Sequence, residues 1–111
     1  MATATFVHNG DAIDFKPATD TPAGAVVALG ELVGVTRTPI PAGALGSLAV
    51  TGVFDIAKAT GTGTAIAAGE NCYWNATASQ VTTVATGNKF LGKAIQVAGD
   101  ADATVRVRLD Q

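Results

Sequence analysis

Apolar and polar positions alternate in short runs along most of this chain, and that pattern predicts strands. The clearest run is Thr104-Val105-Arg106-Val107-Arg108-Leu109, where Val105, Val107 and Leu109 fall on one face and Arg106 and Arg108 on the other. Residues 53–58 repeat the pattern: Phe54, Ile56 and Lys58 share one side, and Val53, Asp55 and Ala57 the other. Shorter runs at 12–15, 25–29, 32–36 and 47–51 read as further strands. Residues 72–75 and 80–84 read as a hairpin around Ala76-Thr77-Ala78-Ser79, and 89–97 as a long strand bent at Gly92. Pro39 and Pro41 make their segment a rigid connection, because proline has no N–H to give to a sheet. No segment carries a helical stripe, and residues 65–70 hold at most one helical turn or a bend. The expected fold is all-β: a single compact β-sandwich or barrel, jelly-roll-like, of short antiparallel strands with little or no helix. One domain spans residues 1–111, with residues 1–5 as an extended N-terminal arm.

Composition changes the picture in two ways. Apolar residues are 48% of the chain, but 22 of them are alanine, and Leu, Ile, Val and Phe together number 27. That is enough for a core, though a thin one, in a chain that fits one domain. Charged residues are only 14%, so part of the surface is expected to be covered in the working state. The net charge is −2 and the seven Lys and Arg are scattered, which makes the chain a poor nucleic-acid binder. No run approaches the roughly 20 apolar residues of a membrane span. Met1-Ala2-Thr3-Ala4-Thr5-Phe6 lacks the basic and apolar regions of a secretory leader, so synthesis in a cytoplasm is expected. One cysteine, Cys72, makes neither an internal disulfide nor a cysteine metal cluster.

Candidate chemistry is sparse. His8 is the only histidine, and the neighbours of Cys72 (Asn71, Tyr73, Trp74) supply no cation to activate a thiol. The carboxylates sit mostly at turns, where Asp bonds nearby backbone. Asp100 and Asp102 lack the spacing of a calcium loop, and Gly61-Thr62-Gly63-Thr64 lacks the Gly-Lys-Ser/Thr of a phosphate loop. The expected catalytic, cofactor-binding and metal-binding residues are therefore none. Tyr73 and Trp74 are adjacent in a strand and point to opposite faces, so one ring belongs to the core and the other to a surface or interface.

A set of short pieces in fixed order resembles a known family. They are Gly10-Asp11, Ala23-Gly24-Ala25-Val26-Val27, Gly30-Glu31-Leu32-Val33-Gly34-Val35 and Gly52-Val53-Phe54-Asp55-Ile56-Ala57-Lys58. They continue with Gly69-Glu70-Asn71-Cys72-Tyr73-Trp74-Asn75, residues 81–88, Leu91-Gly92-Lys93-Ala94 and Val105-Arg106-Val107-Arg108-Leu109. Their order and the chain length resemble the capsid cement, or decoration, proteins of tailed phages. Ile56-Ala57-Lys58 departs from the Leu-Pro that the family tends to carry before the lysine. The resemblance implies a structural virion protein on the outside of the phage head, made in the host cytoplasm. It implies major capsid protein as partner, a homo-oligomer (dimer or trimer), no cofactor, no enzyme activity, no nucleic acid and no membrane.

Contact with the capsid or with other copies is expected at Ala2, Thr3, Ala4 and Thr5, which are small and β-prone and suited to pairing as an added strand. Tyr73 or Trp74 is the expected anchor. Two other readings compete. A biotinyl- or lipoyl-like barrel needs a lysine at an exposed hairpin tip, and of Lys16, Lys58, Lys89 and Lys93 only Lys89 lies beside a turn. A carbohydrate-binding module needs Tyr73 or Trp74 as an open stacking platform.

Overall fold

A computed structural model describes residues 3–111 and contains no helix among them. Among the described residues nine strands form two antiparallel sheets. The first sheet contains β1 (Ala12–Phe15), β2 (Val26–Leu29), β3 (Leu32–Thr36) and β4 (Gly46–Ala49), in spatial order β1-β4-β3-β2. The second contains β5 (Gly52–Ala57), β6 (Asn71–Asn75), β7 (Gln80–Thr82), β8 (Lys89–Ala94) and β9 (Thr104–Leu109), in order β5-β9-β8-β6-β7. The all-β fold of short antiparallel strands, expected as a sandwich or barrel, is the fold observed.

The second sheet curls until its two outer strands meet. Lys58, just after β5, bridges Val81 of β7 in the parallel sense. An odd number of antiparallel strands leaves the first and last pointing the same way, so closure has to be parallel. The curl wraps the inward side chains of the sheet around one core: Ile56, Cys72, Trp74, Val81, Leu91, Val105, Val107 and Leu109. Val33 and Val35 of β3 pack into the same core and join the first sheet to the second. The Gln111 side chain tightens this seam, because its amide donates to the Val33 carbonyl and accepts from the Val33 N–H.

Most strand positions follow from alternation, and the differences lie at the ends. The two sides read for 53–58 separate into a side turned to the core (Ile56 and Lys58 buried, Phe54 half-buried) and an exposed one, and the two faces of 104–109 are the buried and exposed sets observed. The run read over 47–51 ends at Ala49, because the chain crosses to the second sheet within the next three residues, and Gly52, with φ +117°, already begins β5. The run read over 89–97 stays in regular pairing only to Ala94. Ile95 still donates to the Arg106 carbonyl of β9, and by Ala98 the chain has a different neighbour, exchanging two backbone bonds with Ile66. The expected bend at Gly92 coincides with a bulge. Cys72 faces Gly92 and Tyr73 faces Phe90, so Leu91 is the extra residue. Residues 65–70 form a bridge and a turn rather than a helical turn, with Glu70 Oε1 accepting the Ala67 N–H.

Candidate functional site

The expected contact residues fall in two regions. Residues 3–10 form no strand and lie exposed ahead of β1. Thr3, Ala4 and Thr5 are in this stretch, whereas Ala2 lies outside the described residues. Pairing begins only at Asp11, whose carbonyl accepts the Val50 N–H. The unpaired segment is thus longer than the five residues read from the sequence, and Phe6 and Val7 within it are each 80% exposed. Alternation does not reveal them, because Phe6-Val7 alone looks like the start of any strand.

Tyr73 and Trp74 divide as their adjacency on β6 requires. Trp74 points into the barrel and is 8% exposed. Tyr73 points outward, half-buried, with its ring edge-on to Phe90 at a centroid distance of 5.6 Å. The Trp74 indole forms part of the wall of a cleft of about 450 Å³ between the two sheets, with Val26, Val35, Phe54 and Ile56. A buried indole is not an open platform for a sugar ring.

The candidate nucleophile and base are separated by the fold. His8 is exposed before β1 and a ring nitrogen bonds the adjacent Asn9 carbonyl. Cys72 is fully buried inside the barrel, its thiol directed to the Glu70 carbonyl at 3.5 Å. Burial pushes the Cys72 thiol above its ordinary pKa, and the nearby Glu70 charge adds to this, while a bond with the Ala94 backbone acts the other way. Native Cys72 should therefore resist alkylation by iodoacetamide near neutral pH and react fully once the chain is unfolded in urea. Labelling at the same rate in both states would contradict the burial.

The acidic side chains organise turns. Asp100 Oδ1 accepts the N–H groups of Thr64 and Ala65, and Asp102 Oδ2 accepts that of Gly99. Among the described residues no three His, Cys, Asp or Glu side chains are grouped to hold a metal ion. Asp55 is bound by Arg106 in a two-pronged pair at 2.9 and 3.0 Å on the outer face of the barrel. Those hydrogen bonds hold the Asp55 carboxyl below its usual pKa, and the same pair raises Arg106.

Two lysines have structural partners. Lys58 is 3% exposed, and its ammonium donates to the carbonyls of Ala59, Gly99 and Asp102 at 2.8, 3.0 and 2.9 Å. Lys89, the one lysine beside a turn, pairs with Glu31 at 2.6 Å. That pair links β8 to the β2–β3 turn, so Lys89 does not stand free at a hairpin tip.

Comparison with curated proteins and with solved structures gives no match. A family model described as phage cement protein matches residues 7–109, from within the exposed N-terminal segment to the last residue of β9. The match covers both sheets and the loops that Lys58 ties together, and on it the chain belongs to the phage cement protein family, a family of structural, capsid-associated proteins.

Proposed function

We propose that this protein binds the outside of a tailed-phage head and stabilises the lattice of the major capsid protein. The observation that carries the reading is the exposed N-terminal segment, in which Phe6 and Val7 are each 80% exposed. A side chain of this kind contributes about 1.5–3 kcal/mol when it moves from water into an apolar contact. Covering both on each of many copies stabilises the assembled shell by mass action, because the bound state exists only while the lattice does. An oligomer, dimer or trimer, multiplies the effect by presenting several such segments at once.

Within this reading Ala2, Thr3, Ala4 and Thr5 extend the segment as backbone able to pair with a strand of the shell or of a second copy. Tyr73, the outward ring beside Phe90, is a side-chain anchor. Trp74 contributes from within the cleft wall, by keeping the two sheets in register. The protein is made in the host cytoplasm and ends on the head exterior.

The test is addition of the purified protein to heads that lack it. Saturable binding, with a higher temperature for DNA release, is expected. Deleting residues 2–5 should weaken binding, and Phe6→Ala with Val7→Ala should weaken it further, by about tenfold or more. Equal binding by all three proteins would remove the N-terminal segment from the account. Heads that neither bind the wild-type protein nor gain heat resistance would overturn the function.

A further inference from the structure

The outer face of the barrel carries an unusual arrangement of charge. Lys93 on β8 and Arg108 on β9 are directly opposite one another. Both are exposed, and among the described residues neither is in an ion pair. Asp110, next along the chain, is not paired with either. Like charges opposite each other across two strands are destabilising. The adjacent row does not relieve the repulsion, because Asp55 is already taken by Arg106. The face therefore holds two uncompensated positive charges on a chain whose net charge is −2.

Lys93 has the polar, exposed Asn71 opposite it on its other side, and apolar side chains lie nearby. Val53 lies opposite Arg108 on its other side and is 51% exposed. Ile95, which bonds the Arg106 carbonyl through its N–H, is 45% exposed, and Val97 is 72% exposed. Strands β9 and β8, which carry the two cations, are both interior strands of the sheet, so this part of the face presents side chains and no free backbone edge. A partner must meet it by side-chain contact rather than by adding a strand.

We infer that this basic and apolar face is a second docking surface, and that its partner is an acidic surface segment of the capsid shell protein. The inference rests on the head-binding function proposed above and names a surface for it. Charge complementarity selects the partner's chemistry: carboxylates beside Lys93 and Arg108 would cancel a repulsion that the free protein retains. Two copies meeting through the same face would set positive on positive, which disfavours a symmetric self-contact. The exposed Val53, Ile95 and Val97 fit a protein surface better than a phosphate backbone.

The experiment compares wild type, Lys93→Gln with Arg108→Gln, and Lys16→Gln for binding to purified heads lacking the protein, at low and high salt. Lys16 is exposed next to β1, away from this face. The double variant should melt no lower than wild type, because it loses a repulsion, yet bind heads about tenfold more weakly with a shallower salt dependence. Lys16→Gln should bind as wild type does. Unchanged binding by the double variant would overturn this inference and leave head binding standing. Loss of self-association with head affinity intact would also overturn it, by assigning the face to contacts between copies. Failure of the wild-type protein to bind heads would remove both proposals.

Discussion

Gly92→Ala is expected to cost about 4 kcal/mol or more, a large part of the roughly 5–15 kcal/mol that holds a domain of this size together. A Cβ at this position would stand 1.9 Å from the Arg108 carbonyl oxygen and 2.9 Å from its carbon. Both are backbone atoms of the neighbouring strand, so no rotamer change relieves the clash. The strands would have to part by more than an ångström, where Gly92 pairs with Leu109 and the Leu91 carbonyl accepts the Asp110 N–H. Gly92 also has φ +158°, at the edge of a region that side chains rarely enter. Two controls separate crowding from backbone freedom. A Cβ at Gly10 meets open space, and Gly10→Ala should change stability by less than about 0.5 kcal/mol. Gly30 has open space but φ +61°, and Gly30→Ala should cost about 1 kcal/mol. Trp74, the only tryptophan and a buried one, reports all three in urea titrations. A midpoint for Gly92→Ala close to that of Gly30→Ala would mean that β8 and β9 do not approach as closely as described.

Where alternation is strict, both the strand and its buried face could be read from the sequence. Val105, Val107 and Leu109 are 1%, 0% and 2% exposed, and no other register of that strand would bury them together. The bend at Gly92 was legible for a related reason: a glycine inside a strand pattern marks a bulge or a close backbone approach, and here it marks both. Strand ends were less legible, because they depend on which neighbour offers the next hydrogen bond. Ile95 and Val97 have strand-like side chains, but the backbone there leaves β8 for a bridge between Ala98 and Ile66, which no local pattern announces. Closure of the second sheet was hidden in the same way, since Lys58 and Val81 are far apart in sequence.

The candidate contact surfaces were legible only in part. Adjacency on one strand fixed that Tyr73 and Trp74 diverge, but not which ring would be inside. That is decided by which face of β6 meets the core: Cys72 and Trp74, two residues apart, share the inward face, and Tyr73 between them takes the outward one. The opposition of Lys93 and Arg108 is a fact of pairing between β8 and β9, and it appears only once the register is known. Phe6 and Val7 were masked by their composition, because an apolar pair is as frequent in a buried strand as in a segment that waits for a partner.

Lys58→Met is expected to cost about 3 kcal/mol, and to do so without removing the apolar stem of the side chain. Alternation assigns Lys58 to the same inward face as Phe54 and Ile56, a position that ordinarily excludes a charge. The structure resolves the conflict through the ammonium group, whose three N–H bonds are all used by the carbonyls of Ala59, Gly99 and Asp102. Methionine fills the same space and leaves those three oxygens without this donor. Arginine should not restore stability, because a planar guanidinium does not match three acceptors arranged around a compact ammonium. The damage should also have a direction. Lys58 fixes residues 99–102, Asp100 in turn holds the N–H groups of Thr64 and Ala65, and its carbonyl accepts the Gly61 N–H. Hydrogen exchange in Lys58→Met should therefore rise first at 61–66 and 98–103, while the amides of β9 stay protected until global unfolding. Uniform loss of protection along the chain would mean that Lys58 supports the core as a whole. A Met variant as stable as wild type would mean that its ammonium contributes no net stability to this fold.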